Sequence, residues 1–226
     1  QIGSSAASDV YQRQDVARPP VETSGVDDAT ADVARTDDLL RALAGCDAVI
    51  HLATLIQGAP ASEIFSRNVQ MSYNVLWACA ELGITRVCLA SSVNALGGVY
   101  SRAGRYDYFP VDEAHPTYVE DPYGLSKWVL EQQADAFARV HPRMQIASLR
   151  FHGIVPTPRA MDRHTPEENV KHVWGYTDQD AAARASLLGL TADFGGHEVF
   201  YIVAPETTSD RASAELARAH YPAVPL

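Results

Sequence analysis

Three short stretches of this chain are apolar almost throughout and do not alternate with polar residues: "CDAVIHLA" (Cys46–Ala53), "RVCLASS" (Arg86–Ser92) and "QIASLRF" (Gln145–Phe151). A strand half exposed to water would show a period of two, so unbroken apolar runs of this length predict strands covered on both faces. Between them lie helical patterns. "RTDDLLRALAG" (Arg35–Gly45) sets Leu39, Leu40 and Leu43 on one helical face before a glycine stop, and "SEIFSRNVQMSYNVLWACAELG" (Ser62–Gly83) is a long amphipathic segment that also ends in glycine. A third helix is expected from Tyr123 to about Val140. Strand and helix in alternation predict right-handed βαβ units and a doubly wound parallel α/β sheet. Ligands of such sheets lie at the carboxyl ends of the strands, which is where His51, Ser91, Ser92 and the stretch Phe151 to Gly153 fall.

Past residue 153 the pattern loosens. Polar, irregular sequence from Ile154 to Asp180 reads as loops over a pocket, followed by a helix (Asp180–Leu190), a late strand (Glu198–Ala204) and a terminal helix. The expected division is therefore a first unit over 1–153 and a small C-terminal substrate lobe over 154–226, interleaved with the last strands. A formal net charge of −10 without a basic stripe argues against nucleic acid as partner. No apolar run reaches the roughly 18 residues of a membrane span and no signal peptide opens the sequence, so the expectation is a cytoplasmic protein. Cys46, Cys79 and Cys88 lack metal-ligand spacing and read as reduced, buried thiols; no metal is expected.

"DPYGLSK" carries the chemistry. Tyr123 and Lys127, four residues apart on a helix, lie on one face. An ammonium beside a phenol favours the phenolate, which is expected to lower the tyrosine pKa and make a proton shuttle near neutral pH. Ser92, at the end of the preceding strand, is placed to hydrogen-bond the same substrate oxygen. Taken alone, a tyrosine and lysine at this spacing are as well explained by a solvated pair; their position after a strand ending Ser-Ser is what adds weight.

In that context the chain resembles the extended short-chain dehydrogenase/reductase superfamily, in its NAD-dependent epimerase/dehydratase group. The resemblance rests on ordered elements: "ADV" (Ala31–Val33), "GCDAVIHLAT" (Gly45–Thr54), Asn68, "CLASSVNALG" (Cys88–Gly97), "YGLSK" (Tyr123–Lys127), "LRFHGIVP" (Leu149–Pro156) and "WGYTDQDAAARA" from Trp174. It implies a Rossmann-like dinucleotide-binding unit over 1–153. It also implies catalytic Ser92, Tyr123 and Lys127, with Tyr123 and Lys127 meeting the cofactor as well. Further cofactor contacts are expected at Asp32, Val33, Leu52, Ala53, Thr54, Asn68, Phe151, Gly153 and Ile154.

The family opens with a strand and a glycine-rich turn whose amides hold the pyrophosphate. Gln1-Ile2-Gly3 resembles the end of that turn, with Gly3 its last glycine. The rest of the turn and the first helix have no counterpart in these residues. Either they belong to a longer chain, or the fold is degenerate and serves as a dinucleotide-sensing or protein-binding module. A strand through "AASDVYQR" (Ala6–Arg13), ending in Asp9, would place a carboxylate on the ribose hydroxyls and favour NAD over NADP.

The implied function is an NAD-dependent oxidoreductase or epimerase acting on a hydroxyl or carbonyl of a sugar, a nucleotide sugar or a similar small substrate. The short C-terminal lobe resembles members that act on small sugars, such as uronate dehydrogenases. Ser92, Asn94, His152 and Arg159 are the expected substrate contacts, with Arg163 or Lys171 as other carboxylate clamps; for His152 a scaffold role fits the sequence equally. His51 is expected to be structural. The family's dimer, built from the helices bearing Asn68 and Tyr123, implies a homodimer, with Trp77 and Leu130 facing either the partner or the sheet.

Overall fold

The computed structural model describes residues 11–15, 26–157 and 164–226. The main sheet is parallel and four-stranded, built from β3 (Ala48–His51), β4 (Arg86–Ser92), β5 (Gln145–Phe151) and β8 (Gly196–Ile202), in the spatial order β3-β4-β5-β8. Before it come β1 (Tyr11–Asp15) and β2 (Val26–Thr30), which form a parallel pair of their own, and α1 (Thr36–Leu43). The helices α2 (Ala61–Leu82) and α3 (Pro122–Val140) connect the strands of the main sheet. Beyond β5 come β6 (Ile154–Val155), α4 (Pro166–Lys171), β7 (Thr177–Asp178), α5 (Gln179–Thr191) and, after β8, α6 (Ser213–His220); β6 and β7 form a short parallel pair.

The unbroken apolar runs have the predicted cause. Val87 and Leu89 of β4 join Ile146 of β5 in a core shared with Val75, Leu76 and Cys79 of α2 and with Leu130 and Ala134 of α3. The intervening residues, Cys88 on β4 and Ala147 and Leu149 on β5, enter a second core with Ala182 of α5. β4 and β5 thus feed both layers, whereas β3, at the edge of this sheet, leaves Ile50 41% exposed, so the two-sided cover expected of its run is not found. Leu130 points into the first core, so of the two orientations open to it the sheet-facing one is observed; Trp77 is partly buried against the same core.

Between β5 and α5 the expectation of loops alone is corrected. Residues 164–178 hold α4, whose Thr165 side chain accepts from Glu168 N while Glu168 reaches back to Thr165 N, a reciprocal cap that starts a helix in polar sequence. Of the stretch Ala6–Arg13 expected as a strand ending at Asp9, the described residues are in β1 (Tyr11–Asp15). Asp9, Gly3, Arg159 and Arg163 lie outside the described residues. Cys79 and Cys88 are buried thiols, while Cys46 is half-buried and donates to Gln12 Oε1 at 3.3 Å. No helix among the described residues is long and apolar enough to cross a membrane, and none of their His, Cys, Asp and Glu side chains cluster into a metal site.

Candidate active site at the carboxyl ends of the sheet

Ser92 and Phe151 are register partners at the last rung of the β4–β5 ladder, and His51 ends β3 beside Leu89. The chain leaves β4 through a single turn of 3₁₀ helix (Val93–Ala95), capped by Ser92, whose Oγ accepts from Asn94 N at 3.1 Å and from Asn94 Nδ2 at 3.2 Å. Opposite stands the first turn of α3. Asp121 caps it, its Oδ1 accepting from Gly124 N at 2.7 Å, and Pro122 occupies the first turn, where no amide is needed. Gly124 makes the approach possible: a Cβ there would lie 2.5 Å from Asn94 O. The helix that carries Tyr123 and Lys127 therefore abuts the turn that carries Ser92.

Tyr123, Lys127 and Ser92 are all buried, and the Ser92 side chain favours the ionised form of the Tyr123 phenol. Lys127 Nζ donates to Ala90 O at 2.6 Å and stands 5.7 Å from the Tyr123 ring centroid. Burial lowers the Lys127 ammonium to about 8. The expected depression of the Tyr123 pKa by Lys127 is not found in this arrangement. Burial raises the phenol above its ordinary value, Tyr100 and Asp121 add to the rise, and the Ser92 side chain alone opposes it. The reason is geometric: the ammonium is tied to the β4 backbone rather than to the phenol oxygen. His51 is also buried and is pushed down to about 3, by desolvation first and by the Lys127 charge second, so it is a neutral scaffold residue.

Asn68 is a brace. Its Oδ1 accepts from Leu55 N at 2.7 Å, and Nδ2 donates to Leu55 O at 2.8 Å and to Ser126 Oγ at 3.1 Å. With both amide hydrogens used, it fixes the loop after β3 to α3. That loop presents Leu52, 61% exposed, and the exposed Ala53, and Thr54 Oγ1 is buried there without a partner. Ile154, 49% exposed, and the exposed Gly153 face outward after β5, whereas Phe151 is buried. Asp32 turns its Oδ1 to Ala34 N at 2.9 Å, and Val33 O accepts from Asn74 Nδ2 at 3.2 Å. An apolar shelf with an orphaned hydroxyl at the strand ends fits a planar, amide-bearing ring such as nicotinamide.

His152 is engaged on both ring nitrogens: Nδ1 accepts from Gly153 N at 2.6 Å, and Nε2 lies 3.1 Å from His172 O. It can present its ring but not a free polar atom, and burial pushes it down to about 4. Asn94 keeps a buried Oδ1 without a partner.

Behind the site lies a group the sequence reading missed. Ser91 Oγ donates to Glu131 Oε1 at 2.6 Å, Arg150 binds Glu131 through Nε at 2.9 Å and Nη2 at 2.8 Å, and Arg150 Nη1 donates to Tyr201 Oη at 3.2 Å. Glu131 stands two helical turns beyond Tyr123, on the same face as Lys127; that periodicity was its available signal.

Known proteins resemble this arrangement. The model of the NAD dependent epimerase/dehydratase family matches residues 5–208. A dTDP-6-deoxy-L-talose 4-dehydrogenase (NAD(+)) from Aggregatibacter actinomycetemcomitans is 33% identical over 92 residues, 41% of this chain and 31% of that protein, so the match spans about a third of the relative's length. Among solved structures, a glucuronic acid dehydrogenase from Chromohalobacter salexigens superposes with a TM-score of 0.71 at 22% identity, covering 95% of this chain and 74% of the other. A mutant uronate dehydrogenase from Agrobacterium tumefaciens, complexed with NAD, gives 0.70 at 18% identity over 91% of this chain and 72% of the other. At these identities the structural likeness is one of fold.

Proposed function

Because the chain belongs to the NAD dependent epimerase/dehydratase family, we propose that it is an NAD-dependent oxidoreductase or epimerase that moves a hydride between nicotinamide and a hydroxyl-bearing carbon of a small substrate. The observation that carries this reading is that Ser92, at the end of β4, and Tyr123 and Lys127, one turn apart at the start of α3, are buried together where Gly124 lets the helix abut the turn after β4. Once ionised, Tyr123 takes the proton from the substrate hydroxyl, Ser92 orients that oxygen, and Lys127 supplies positive charge beside them; the raised phenol pKa makes the oxidation favour alkaline pH. Only one of the three Lys127 donors is engaged, on Ala90 O, which leaves two for ribose hydroxyls. NAD, when bound, supplies the hydride acceptor. Thr54, Leu52, Ala53, Gly153 and Ile154 would hold its nicotinamide half, with Asn68 positioning the loop. The likeness to a sugar-nucleotide dehydrogenase and to uronate dehydrogenases supports a hydroxyl-bearing carbon as the reacting centre.

The test separates chemistry from binding. Tyr123→Phe keeps the ring and removes the proton carrier, so turnover should fall roughly 1,000-fold while NAD affinity by calorimetry stays within about twofold. Undiminished turnover in this variant sinks the proton-transfer role. An unmodified protein that binds NAD but oxidises nothing would favour a dinucleotide-sensing module instead.

A further inference from the structure

A cavity of about 580 Å³ opens where the chain leaves β4 and β5, a volume suited to a small organic ligand. Val93 and Leu96, just after Ser92, form one wall, and His152, just after Phe151, forms another. Tyr100, next to the lining residue Val99, packs edge-on against the Tyr123 ring at 6.0 Å. Phe109, Trp174, Val203 and Leu216 complete an apolar enclosure. Val173 and Trp174 hold left-handed φ of 46° and 53°, rare for such side chains, and Trp174 is fixed there by Asn169 O and Thr208 N at 3.1 and 2.9 Å.

The polar atoms of this wall are largely in use. Lys171, the one Lys or Arg among the described lining residues, donates to Ser101 O at 2.8 Å. Tyr221 Oη donates to Val170 O at 2.8 Å, Tyr201 Oη accepts from Arg150, and both His152 nitrogens are engaged. His172 keeps one unpartnered nitrogen, and burial pushes this residue down to about 4, so it is uncharged. The carboxylate in the lining, Glu206, is exposed. Among the described lining residues a diphosphate would meet an acidic group and an occupied lysine, and would find no replacement for its hydration there.

We propose that the reacting carbon of the substrate carries an uncharged, ring-bearing apolar group, and that this group fills the cavity. The substrate class is then a secondary alcohol, or the matching ketone, with an aryl or similar ring beside the carbinol. This assignment rests on Ser92, Tyr123 and Lys127 being the proton-transfer set. In oxidation the carbinol C–H leaves as hydride with two electrons to NAD, and the O–H proton passes to Tyr123 and on to water. The products are the ketone, reduced cofactor and one proton.

The experiment measures binding and turnover on the same NAD-loaded protein, using α-methylbenzyl alcohol, isopropanol and UDP-glucose as probes. Calorimetry should show the aryl alcohol binding roughly tenfold to a hundredfold tighter than isopropanol. Val203 is 47% exposed, so Val203→Asp spares the core; it should weaken the aryl alcohol by about tenfold with an unchanged melting temperature. Tighter binding of UDP-glucose than of the aryl alcohol overturns the proposal. So does an aryl affinity that equals that of isopropanol or ignores Val203→Asp. Binding as expected without formation of reduced cofactor strikes the proton-transfer reading alone, since cavity occupancy is read without turnover.

Discussion

Ser91 and Ser92 are adjacent on β4 and both are buried; Ser91 hydrogen-bonds Glu131 of α3, and Ser92 favours ionisation of Tyr123 on the same helix. Their surroundings differ in kind. Around Ser91 an acid, a guanidinium and a phenol close on one another, with Glu131 and Arg150 paired through two short bonds and shielded from water. Around Ser92 the polar groups are only partly satisfied: Asn94 Oδ1 has no partner, Lys127 uses one donor, and Thr54 Oγ1 across the sheet end has none. Buried polar atoms are normally paired because leaving one unmet costs about 1–3 kcal/mol. The rear cluster therefore reads as structure, and the front cluster as a place prepared for something that is not protein.

The sharpest way to break that contrast is to uncouple the rear ion pair. Glu131→Gln keeps the shape but leaves the Arg150 charge buried opposite an amide, and loss of one partner from such a pair costs about 3–5 kcal/mol. Urea unfolding should show that loss. If Glu131→Gln instead left stability intact and abolished turnover, the rear cluster would belong to the site and the division between the two serines would fail.

Proton uptake offers a smaller handle on the front cluster. His51 is held at about 3 and His152 at about 4, chiefly by burial, against an ordinary 6.5. As pH falls below about 6.5 the unfolded chain takes up protons that the folded one refuses. Stability is therefore complete above that point and is lost progressively towards pH 3 to 4, by about 1.4 kcal/mol per pH unit for each histidine fully inside its window. Lys127 acts at the other end: lowered to about 8, it makes stability rise as pH climbs from about 8 to about 10.5. Replacing His51 with Gln should flatten the acid slope, as seen in unfolding curves at stepped pH. An unaltered slope would mean that His51 is charged or solvated in the folded protein.

How much of this was legible beforehand follows from where each signal lives. The runs Arg86–Ser92 and Gln145–Phe151 coincide with β4 and β5 because two-sided burial writes itself into every position of a strand. The start of α3 was visible in Asp121-Pro122, a cap and a first-turn residue. By contrast "VDDAT" carries two carboxylates and no apolar pattern, so β2 left no trace. The Thr165–Glu168 cap was present in the sequence but overshadowed by the polarity around it. Tyr123, Lys127 and Ser92 could be brought together on paper because one helical turn and one strand end suffice. Arg150 inside an apolar run and Glu131 on a helix become partners only once β5 lies beside β4. The cavity needs more still, since Leu96, Phe109, Trp174 and Leu216 come from four separate segments and no local pattern joins them.

The subtlest comparison uses the two serines themselves. Ser91→Ala removes one hydrogen bond to Glu131 yet leaves that carboxylate its two bonds from Arg150, so stability should drop by about 1 kcal/mol with kcat nearly unchanged. Ser92→Ala removes the acceptor for Asn94 N and Nδ2 and the partner of Tyr123. Its stability cost is of the same order, about 1 kcal/mol, but without the lowering influence of the Ser92 side chain the Tyr123 pKa should rise further. The ascending limb of kcat/KM for alcohol oxidation should then move to higher pH in Ser92→Ala and stay in place in Ser91→Ala. Matched melting curves with divergent pH profiles would distinguish a serine that supports the fold from one that tunes a phenol. Identical profiles would mean that Ser92, like its neighbour, only holds the chain in place.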